Sequence, residues 1–277
     1  MKKIGLIAFD LDGTILDSRK NLTERSLAAL SRCAQMGIQI VPATGRAVDG
    51  IPGKILAIPG VRYAITTNGG AIVDLKTKEI LKSCTLSNAK VIELIGIMKK
   101  YNAMYDPYIN GRGISQPAFI EHMGNYGIEP LIQEMIRETR DIVPDTEAFV
   151  RETGSDAEKL NIFFMNLADR EALREELKQV EGIIVSSSLY NNLELNAQGA
   201  TKGDALLWLA DYLGIDRMAT MAFGDGENDV SMLKAAGIGV AMGNGGDSAK
   251  KAADEVTLSN DRDGVAAAIE RLVLDLI

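Results

Sequence analysis

The stretch IGLIAFDLDGT, residues 4–14, joins a run of apolar residues to two carboxylates, a glycine and a threonine. The apolar run, residues 4–9, has the composition of a strand that is buried on both faces. Asp10 and Asp12 follow at its end. Two acids one residue apart repel each other, and burying either one without a positive partner is costly. The stretch therefore predicts either a turn that leaves both acids in water or a site that holds a cation.

The composition of the whole chain is that of a globular protein with one large or two moderate domains. The chain has 277 residues, of which 46% are hydrophobic, and this is enough to fill such cores. Its net charge is -8 and its basic residues are scattered, a pattern that disfavours nucleic acids and anionic membrane surfaces as partners. We therefore expect the partner to be a small molecule.

Three features favour a cytoplasmic location. Asp10 and Asp12 interrupt the first apolar run, and no small-residue cleavage site follows, so this run does not have the form of a secretory signal. No apolar stretch approaches the about 18 residues that a membrane-spanning helix requires. Cys33 and Cys84 stand far apart and form no C-x-x-C pair, which is typical of a reducing compartment.

Short apolar runs alternate with helical patterns towards both ends of the chain, which predicts a parallel sheet flanked by helices. Strands are predicted at residues 4–9, 38–43, 63–67, 218–223, 238–242 and 255–258. Between the first two, Thr23 is predicted to cap a helix that stops at Gly37. The predicted fold class is α/β, with a Rossmann-like core formed by residues 1–84 and 188–277.

Residues 85–187 have a different order of elements, which predicts an inserted second α/β domain. Helices are expected at residues 89–101, 129–138 and 169–180, and strands near 104–109, 113–115, 160–165 and 183–187. Such an order is typical of a largely antiparallel sheet with helices on one face. No Gly/Ser-rich linker marks the seams, so we expect the insert to join the core through short hinges.

Polar clusters follow the predicted core strands, at the edge where open parallel sheets bind their ligands. Thr44 and Gly45 follow the second strand, where a hydroxyl and backbone N–H groups can hold an anion. The acidic stretch GDGEND, residues 224–229, follows a later strand, and Lys202 stands at the start of a predicted helix. Carboxylates, a lysine and a hydroxyl together can bind a hard divalent cation and, through it, a phosphate.

These clusters resemble the motifs of a known family. Four of them stand in the order found in the haloacid dehalogenase superfamily: DLDGT (residues 10–14), TGR (44–46), Lys202 and GDGEND (224–229). Three more resemble its Cof-like phosphatase branch: NGGAI (68–72), AMGN (241–244) and SNDRDGV (259–265). The resemblance implies a phosphatase core with an inserted cap domain, residues 85–187, that determines substrate specificity. It also implies Mg²⁺-dependent hydrolysis of small phosphomonoesters, such as sugar phosphates, through an aspartyl-phosphate.

The resemblance implies a role for each motif residue. Asp10 would be the nucleophile, and Asp12 would protonate the leaving group and then accept a proton from water. Asp10, the backbone carbonyl of Asp12, and Asp225 would bind Mg²⁺, with Asp229 orienting a bound water or Lys202. The phosphoryl oxygens would be held by Leu11, Thr44, Gly45, Lys202 and Asn228. From the residue types alone, we expect the rest of the substrate to be contacted by Arg46 and by Tyr108 and Arg112, which give the insert a mixed aromatic and polar character.

Several alternatives remain open. DLDGT alone could form a turn with solvated acids, Lys202 could be a solvated lysine, and the tyrosines of the insert could be packing residues. A calcium-binding EF-hand loop is excluded, because Ile15 and Asn21 occupy its sixth and twelfth positions. A sugar phosphomutase of the same superfamily and a ligand-sensing protein without turnover are the alternative functions. The presence of Asp10, Asp12, Lys202 and Asp225 argues against the sensor.

Overall fold

The computed structural model describes residues 3–275, and the chain divides into two compact units. The first unit comprises the chain up to Gly45, Ile51–Lys82, and the chain from Thr201 onward. The second unit comprises Arg46–Gly50 and Ser83–Ala200. No helix among the described residues is both long enough and apolar enough to cross a membrane.

Strands and helices are numbered separately, in chain order. The strands are β1 (Leu6–Phe9), β2 (Gln39–Pro42), β3 (Tyr63–Thr66), β4 (Ala71–Asp74), β5 (Glu79–Ser83), β6 (Ala103–Ile109), β7 (Arg112–Ser115), β8 (Arg140–Ile142), β9 (Lys159–Phe164), β10 (Ile183–Ser186), β11 (Asn192–Ala197), β12 (Thr220–Gly224), β13 (Ile238–Ala241) and β14 (Glu255–Val256). The helices are α1 (Glu24–Gln35), α2 (Gly53–Leu56), α3 (Asn88–Met98), α4 (Pro117–Glu121), α5 (Pro130–Thr139), α6 (Thr146–Thr153), α7 (Leu167–Leu177), α8 (Lys202–Tyr212), α9 (Val230–Ala235), α10 (Asp247–Ala252) and α11 (Gly264–Ile269).

The first unit is built on a parallel sheet with the strand order β14-β13-β12-β1-β2. Parallel bridges from Ile40 to Val61 and from Ala43 to Ile65 place β3 next to β2. From there the chain continues into the sheet β3-β4-β5, in which β3 and β4 pair antiparallel. The predicted parallel sheet is confirmed, and the run of residues 4–9 supplies its interior strand β1, which lies between β12 and β2.

Side chains of β1 alternate between two hydrophobic layers, because successive residues of a strand point to opposite faces. Ile7 and Phe9 belong to the cluster that includes residues of α1 and α11, whereas Leu6 and Ala8 belong to the cluster that includes residues of α8 and α9. All four side chains have no exposed surface. Helices therefore cover both faces of the sheet, as expected for a Rossmann-like core.

The second unit contains a six-stranded sheet with the order β10-β11-β9-β6-β7-β8. Its strands pair antiparallel except β7 and β8, which are parallel. Leu160, Ile162 and Leu195 of this sheet form one apolar cluster with residues of α3, α6 and α7, among them Leu94 and Leu173. The predicted insert with a largely antiparallel sheet is confirmed in its architecture.

Some elements of the second unit were not predicted from the sequence, and the clearest case is the strand β11. Its sequence, NLELNA, is rich in residue types that are depleted in strands, so its propensity gave no signal. Pairing with β9 and β10 makes it a buried strand. As a result, the chain returns to the first unit at Thr201, whereas the predicted core resumes at residue 188. Arg46–Gly50 also groups with the second unit.

Candidate active site

Three loops of the first unit leave the carboxyl edge of its parallel sheet side by side. Asp10 follows β1, and its N–H donates to the carbonyl of Phe223 in β12 at 3.0 Å. The N–H of Ala43, after β2, donates to the carbonyl of Phe9 at 2.8 Å. These bonds continue the sheet ladder past the strand ends, so the loops that begin at Asp10, Thr44 and Asp225 start next to one another.

Lys202 supplies a buried positive charge to this site. It is the first residue of α8, has no exposed surface, and donates from Nζ to Asp10 Oδ1 and to Asp229 Oδ1, each at 2.7 Å. Burial by itself lowers the pKa of the Lys202 ammonium group, but the carboxylates of Asp10 and Asp229 raise it above its ordinary value. Lys202 is therefore a buried cation, and the alternative of a solvated lysine is wrong.

Asp229 connects Lys202 to the acidic loop after β12. While its Oδ1 accepts from Lys202, its Oδ2 accepts from the backbone N–H groups of Asp225 and Gly226, each at 2.9 Å. The residue is fully buried. Because both oxygens already accept hydrogen bonds, Asp229 is suited to orienting Lys202 and the loop, and Asp10 and Asp225 are better suited to contacting a ligand.

The turn after Asp12 packs directly on Asp225. Gly13 has φ +81°, and a Cβ added there would lie 2.4 Å from Oδ2 of Asp225, so this position requires glycine. Thr14 Oγ1 donates to Asp225 Oδ1 at 2.8 Å, and Asn244 Nδ2 donates to the carbonyl of Gly13 at 2.8 Å. Thr14 and Asn244 belong to stretches quoted for the resemblance, but they had no predicted role.

Carboxylate oxygens of Asp10, Asp225 and Asp229 lie within 4.8 Å of one another. Burial raises the pKa of the Asp10 carboxyl group well above its ordinary value; Lys202 opposes this shift, and Asp229 and Asp225 add to it. Burial, with repulsion from Asp229, raises the pKa of Asp225 to about 6. The negative charge of the cluster thus exceeds what one ammonium compensates. Oxygen donors with excess negative charge fit a hard divalent cation.

A strained turn after β3 links the two loops predicted to bind phosphate. Thr67 and Asn68 have φ values of 48° and 60°, a region that non-glycine residues rarely adopt and that is often found at functional sites. The N–H of Asn68 donates to the carbonyl of Thr44 at 3.0 Å, and Asn68 Oδ1 accepts from Asn228 Nδ2 at 3.1 Å. Asn68 therefore connects Thr44 with Asn228. The NGGAI stretch contained this residue, but its role was not predicted.

The other predicted residues differ in their surroundings. Asp12 is bonded through Oδ1 to Lys20 Nζ at 2.8 Å, a partner that no sequence pattern indicated. Arg46 and Arg112 lie in the second unit. Arg46 Nη1 donates to the carbonyl of Gly50 at 2.8 Å. Arg112 is engaged by two carboxylates and one carbonyl, those of Asp141, Asp49 and Glu138. The predicted substrate contacts of both arginines stay predictions.

Comparison with known proteins agrees with these motifs. The family described as haloacid dehalogenase-like hydrolase matches residues 7–269. The 5-amino-6-(5-phospho-D-ribitylamino)uracil phosphatase YcsE of Bacillus subtilis is 30% identical, over 98% of this chain and 96% of its own. The pyridoxal phosphate phosphatase YbhA of Escherichia coli is also 30% identical, over 94% of this chain and 96% of its own. The structure of a haloacid dehalogenase-like hydrolase from B. subtilis has a TM-score of 0.86 at 28% identity, and the match covers 97% of this chain and 100% of that one.

The chain therefore belongs to the haloacid dehalogenase-like hydrolases. Within that family it is a phosphatase of the Cof-like branch, a phosphoric monoester hydrolase. The predictions of family, fold class and enzyme class are confirmed. The roles of the individual site residues stay predictions.

Proposed function

We propose that this phosphatase hydrolyses small phosphomonoesters with Mg²⁺ bound at the carboxylate cluster, and that it does so through an aspartyl-phosphate on Asp10. The observation that supports this most is the environment of Asp10. Its carboxylate is buried, bonded to Lys202 at 2.7 Å, and grouped with the carboxylates of Asp225 and Asp229. A nucleophilic carboxylate needs such a positive neighbour to stay ionised when it is buried.

In the first step, the Asp10 carboxylate attacks phosphorus and a new bond forms between its oxygen and phosphorus. The bond from phosphorus to the ester oxygen breaks, and Asp12 gives its proton to the departing alkoxide. In the second step, Asp12 takes a proton from water, whose oxygen attacks the same phosphorus. The bond between phosphorus and Asp10 then breaks, which releases phosphate and restores the Asp10 carboxylate.

The remaining residues of the cluster would stabilise charge on the transferring group. Lys202 keeps Asp10 ionised and neutralises negative charge on the phosphoryl oxygens. Thr44, Asn228 and the N–H groups of Leu11 and Gly45 donate to those oxygens. Asp10, the carbonyl of Asp12, and Asp225 are the groups that would hold Mg²⁺. When bound, this ion would neutralise the cluster and orient the phosphoryl group.

We further propose that the second unit recognises the leaving group. The proposed catalytic groups of the first unit all bind the phosphoryl unit, so discrimination between esters has to come from elsewhere in the chain. One face of the second unit's sheet carries polar residues at alternate positions: Asp106, Tyr108, Lys159, Asn161 and Glu194. A sheet face of this kind offers hydrogen-bonding groups that an apolar packing face lacks.

Two buried ion pairs organise this polar face. Arg140 Nε donates to Asp106 Oδ2 at 3.0 Å, and Lys159 Nζ donates to Glu194 Oε1 at 2.7 Å. The Tyr108 ring has the Arg140 guanidinium carbon at 4.7 Å and the Lys159 Nζ at 4.8 Å from its centroid. Asp106 Oδ1 is buried and accepts no hydrogen bond from residues 3–275. A buried acceptor without a donor is uncommon in folded proteins, so this oxygen is an unsatisfied point of the polar face.

A screen for phosphate release against a panel of phosphomonoesters, with and without Mg²⁺ and with a chelator control, tests this function. The panel should include sugar phosphates, nucleotides, flavin mononucleotide and pyridoxal phosphate, because two relatives at the same 30% identity are named for different substrates. We expect rapid, Mg²⁺-dependent release from at least one ester. Slow release beside fast isomer interconversion would indicate a phosphomutase, and no release would indicate a ligand-sensing protein.

A further inference from the structure

The Asp12 side chain forms an ion pair with a residue outside every motif. Lys20 Nζ lies 2.8 Å from Asp12 Oδ1. The two side chains are 35% and 37% exposed, which places the pair at the rim of the site. Exposed ion pairs of this kind contribute little to the stability of the fold. We therefore consider the effect of this pair on the orientation of the Asp12 side chain.

The backbone around Lys20 directs its side chain. Lys20 has φ 62°, a conformation that a non-glycine residue keeps only where its surroundings impose it. Its N–H donates to the carbonyl of Asp17 at 2.9 Å. The Asp17 carboxylate accepts from the N–H of Arg19 at 2.9 Å and from the N–H of Asn21 at 2.6 Å. Asp17 therefore closes a tight turn that fixes the backbone on both sides of Lys20.

A second loop of the first unit supports this turn. Asp261 Oδ1 accepts from the N–H of Ser18 at 2.7 Å, and Asn260 Nδ2 donates to the carbonyl of Leu16 at 2.9 Å. Both Asn260 and Asp261 come from the SNDRDGV stretch, none of whose residues takes part in the proposed phosphate and metal contacts. Supporting the turn that carries Lys20 accounts for these two residues of the stretch.

We propose that Lys20 is a positioning residue: its ammonium donates to Oδ1 of Asp12 and so orients the carboxyl group, whose other oxygen, Oδ2, carries the proton that is given to the leaving group. This inference rests on the proposed role of Asp12 as acid and base. Losing this contact removes one restraint on the orientation of the half-exposed Asp12 carboxyl group, and misplacing a catalytic group by about 1 Å can cost about 10²-fold in rate. Lys20 would thus act on the reaction through Asp12, without touching the substrate.

The test uses two esters that differ in how much they need a proton. The leaving group of p-nitrophenyl phosphate departs readily as an anion, whereas that of phenyl phosphate is a base about as strong as a tyrosine side chain, with a pKa of about 10. We expect Lys20→Met to lower kcat/KM about tenfold for phenyl phosphate and less than about threefold for p-nitrophenyl phosphate. The ratio kcat/KM is the proper quantity because it reports the step in which the leaving group departs.

Two variants separate this role from a general effect on the turn. Lys20→Arg keeps a cation facing Asp12, and we expect it to restore most of the activity on phenyl phosphate. Arg19→Met removes the neighbouring cation of the same turn, which acts electrostatically on Asp17. We expect it to leave both esters unchanged. A selective loss in Arg19→Met that equals the loss in Lys20→Met would overturn the proposal.

Asp12→Ala, measured beside these variants, distinguishes failure of this inference from failure of the proposed function. If Asp12→Ala loses much more activity on phenyl phosphate than on p-nitrophenyl phosphate, Asp12 is the acid. Lys20→Met should then add no further selective loss in the double variant. A uniform loss in Lys20→Met beside a selective loss in Asp12→Ala would overturn the role of Lys20 alone. A uniform loss in Asp12→Ala would overturn the acid assignment and, with it, this inference.

Discussion

Both units of the molecule bury charged side chains, but they balance the charges differently. In the first unit, the carboxylates of Asp10, Asp225 and Asp229 are grouped, and Lys202 is the ammonium bonded to two of them. In the second unit, each buried acid of the polar face has its own base: Asp106 is paired with Arg140, and Glu194 with Lys159.

This difference separates a cluster whose charge needs a ligand for compensation from a face whose buried charges compensate one another. A buried pair with good hydrogen bonds neutralises its own charge, even if it adds little net stability. A cluster with excess negative charge is destabilised until protons or a cation compensate it, as the raised pKa values of Asp10 and Asp225 indicate. Removing an acid should therefore have opposite effects on stability in the two units.

The largest expected effect comes from removing the proposed nucleophile. Asp10→Ala should abolish phosphate release, a loss of more than about 10³-fold, because it removes the carboxylate that would form the covalent intermediate. Circular dichroism should show an intact fold. Alanine is preferable to asparagine, which can deamidate back to aspartate. Release within about threefold of the wild type would contradict the nucleophile assignment.

Removing one acid from each unit tests whether the two units balance their buried charges differently. Glu194→Ala should lower the free energy of unfolding by about 3 kcal/mol, because it removes the carboxylate that is paired with the buried Lys159 ammonium. Asp225→Ala, in protein free of Mg²⁺, should raise the melting temperature because it relieves repulsion within the cluster.

Thermal melts of both variants, in chelator and at neutral pH, provide the measurement. The difference in charge balance would be disproved if both substitutions lowered the melting temperature to a similar extent.

Metal binding should have a smaller effect on stability. Mg²⁺ should raise the melting temperature of the wild type, because binding adds to the free energy of unfolding. At a concentration 100 times its Kd, this addition is about 2.7 kcal/mol. The shift should be much smaller in Asp225→Ala, and a chelator should eliminate wild-type activity. Differential scanning calorimetry checks the shift, and an equal increase in both proteins would place the metal elsewhere.

Substitutions in the second unit should change which esters are preferred. Tyr108→Ala or Arg112→Ala should alter the ranking of substrates in kcat/KM by about tenfold, since pocket contacts discriminate on this scale. Hydrolysis of p-nitrophenyl phosphate should change less than about threefold. If all esters instead slowed by one common factor, the second unit would support the fold and specificity would reside in the first unit.

The smallest effect concerns pH. The pKa of Asp225 is raised to about 6 in the folded protein, above its unfolded value of about 3.9. In Mg²⁺-free protein, protonation of Asp225 therefore stabilises the fold; this contribution is complete below about pH 3.9 and is lost as the pH rises through 6. Protons should correspondingly compete with Mg²⁺, and lowering the pH from 7 to 5.5 should weaken apparent binding about fourfold. Titrations of the melting temperature with Mg²⁺ at the two pH values measure this factor. An unchanged affinity would show that Asp225 is ionised throughout this range.

Much of the first unit was predictable because its signals are local. An apolar run buried on both faces, followed by acids, identifies an interior parallel strand and the sheet edge where ligands bind. Thr23 and Gly37 bounded α1 as predicted, since Thr23 accepts a hydrogen bond from the Ser26 N–H and Gly37 has φ 82°. The elements that carry Asp10, Thr44, Lys202 and Asp225 could be predicted in this way.

The side-chain partners depended on the tertiary structure. Lys202 contacts Asp10 across 192 residues of sequence, and Asn68 contacts Asn228 across 160. The polar strand β11 forms because β9 and β10 pair with it. The sequence by itself determined the strands of the parallel sheet, its ligand-binding edge and the residue types gathered there, because burial and periodicity are local properties. Only the order of strands in the folded sheet decided which carboxylate meets which cation, because that order brings distant loops together.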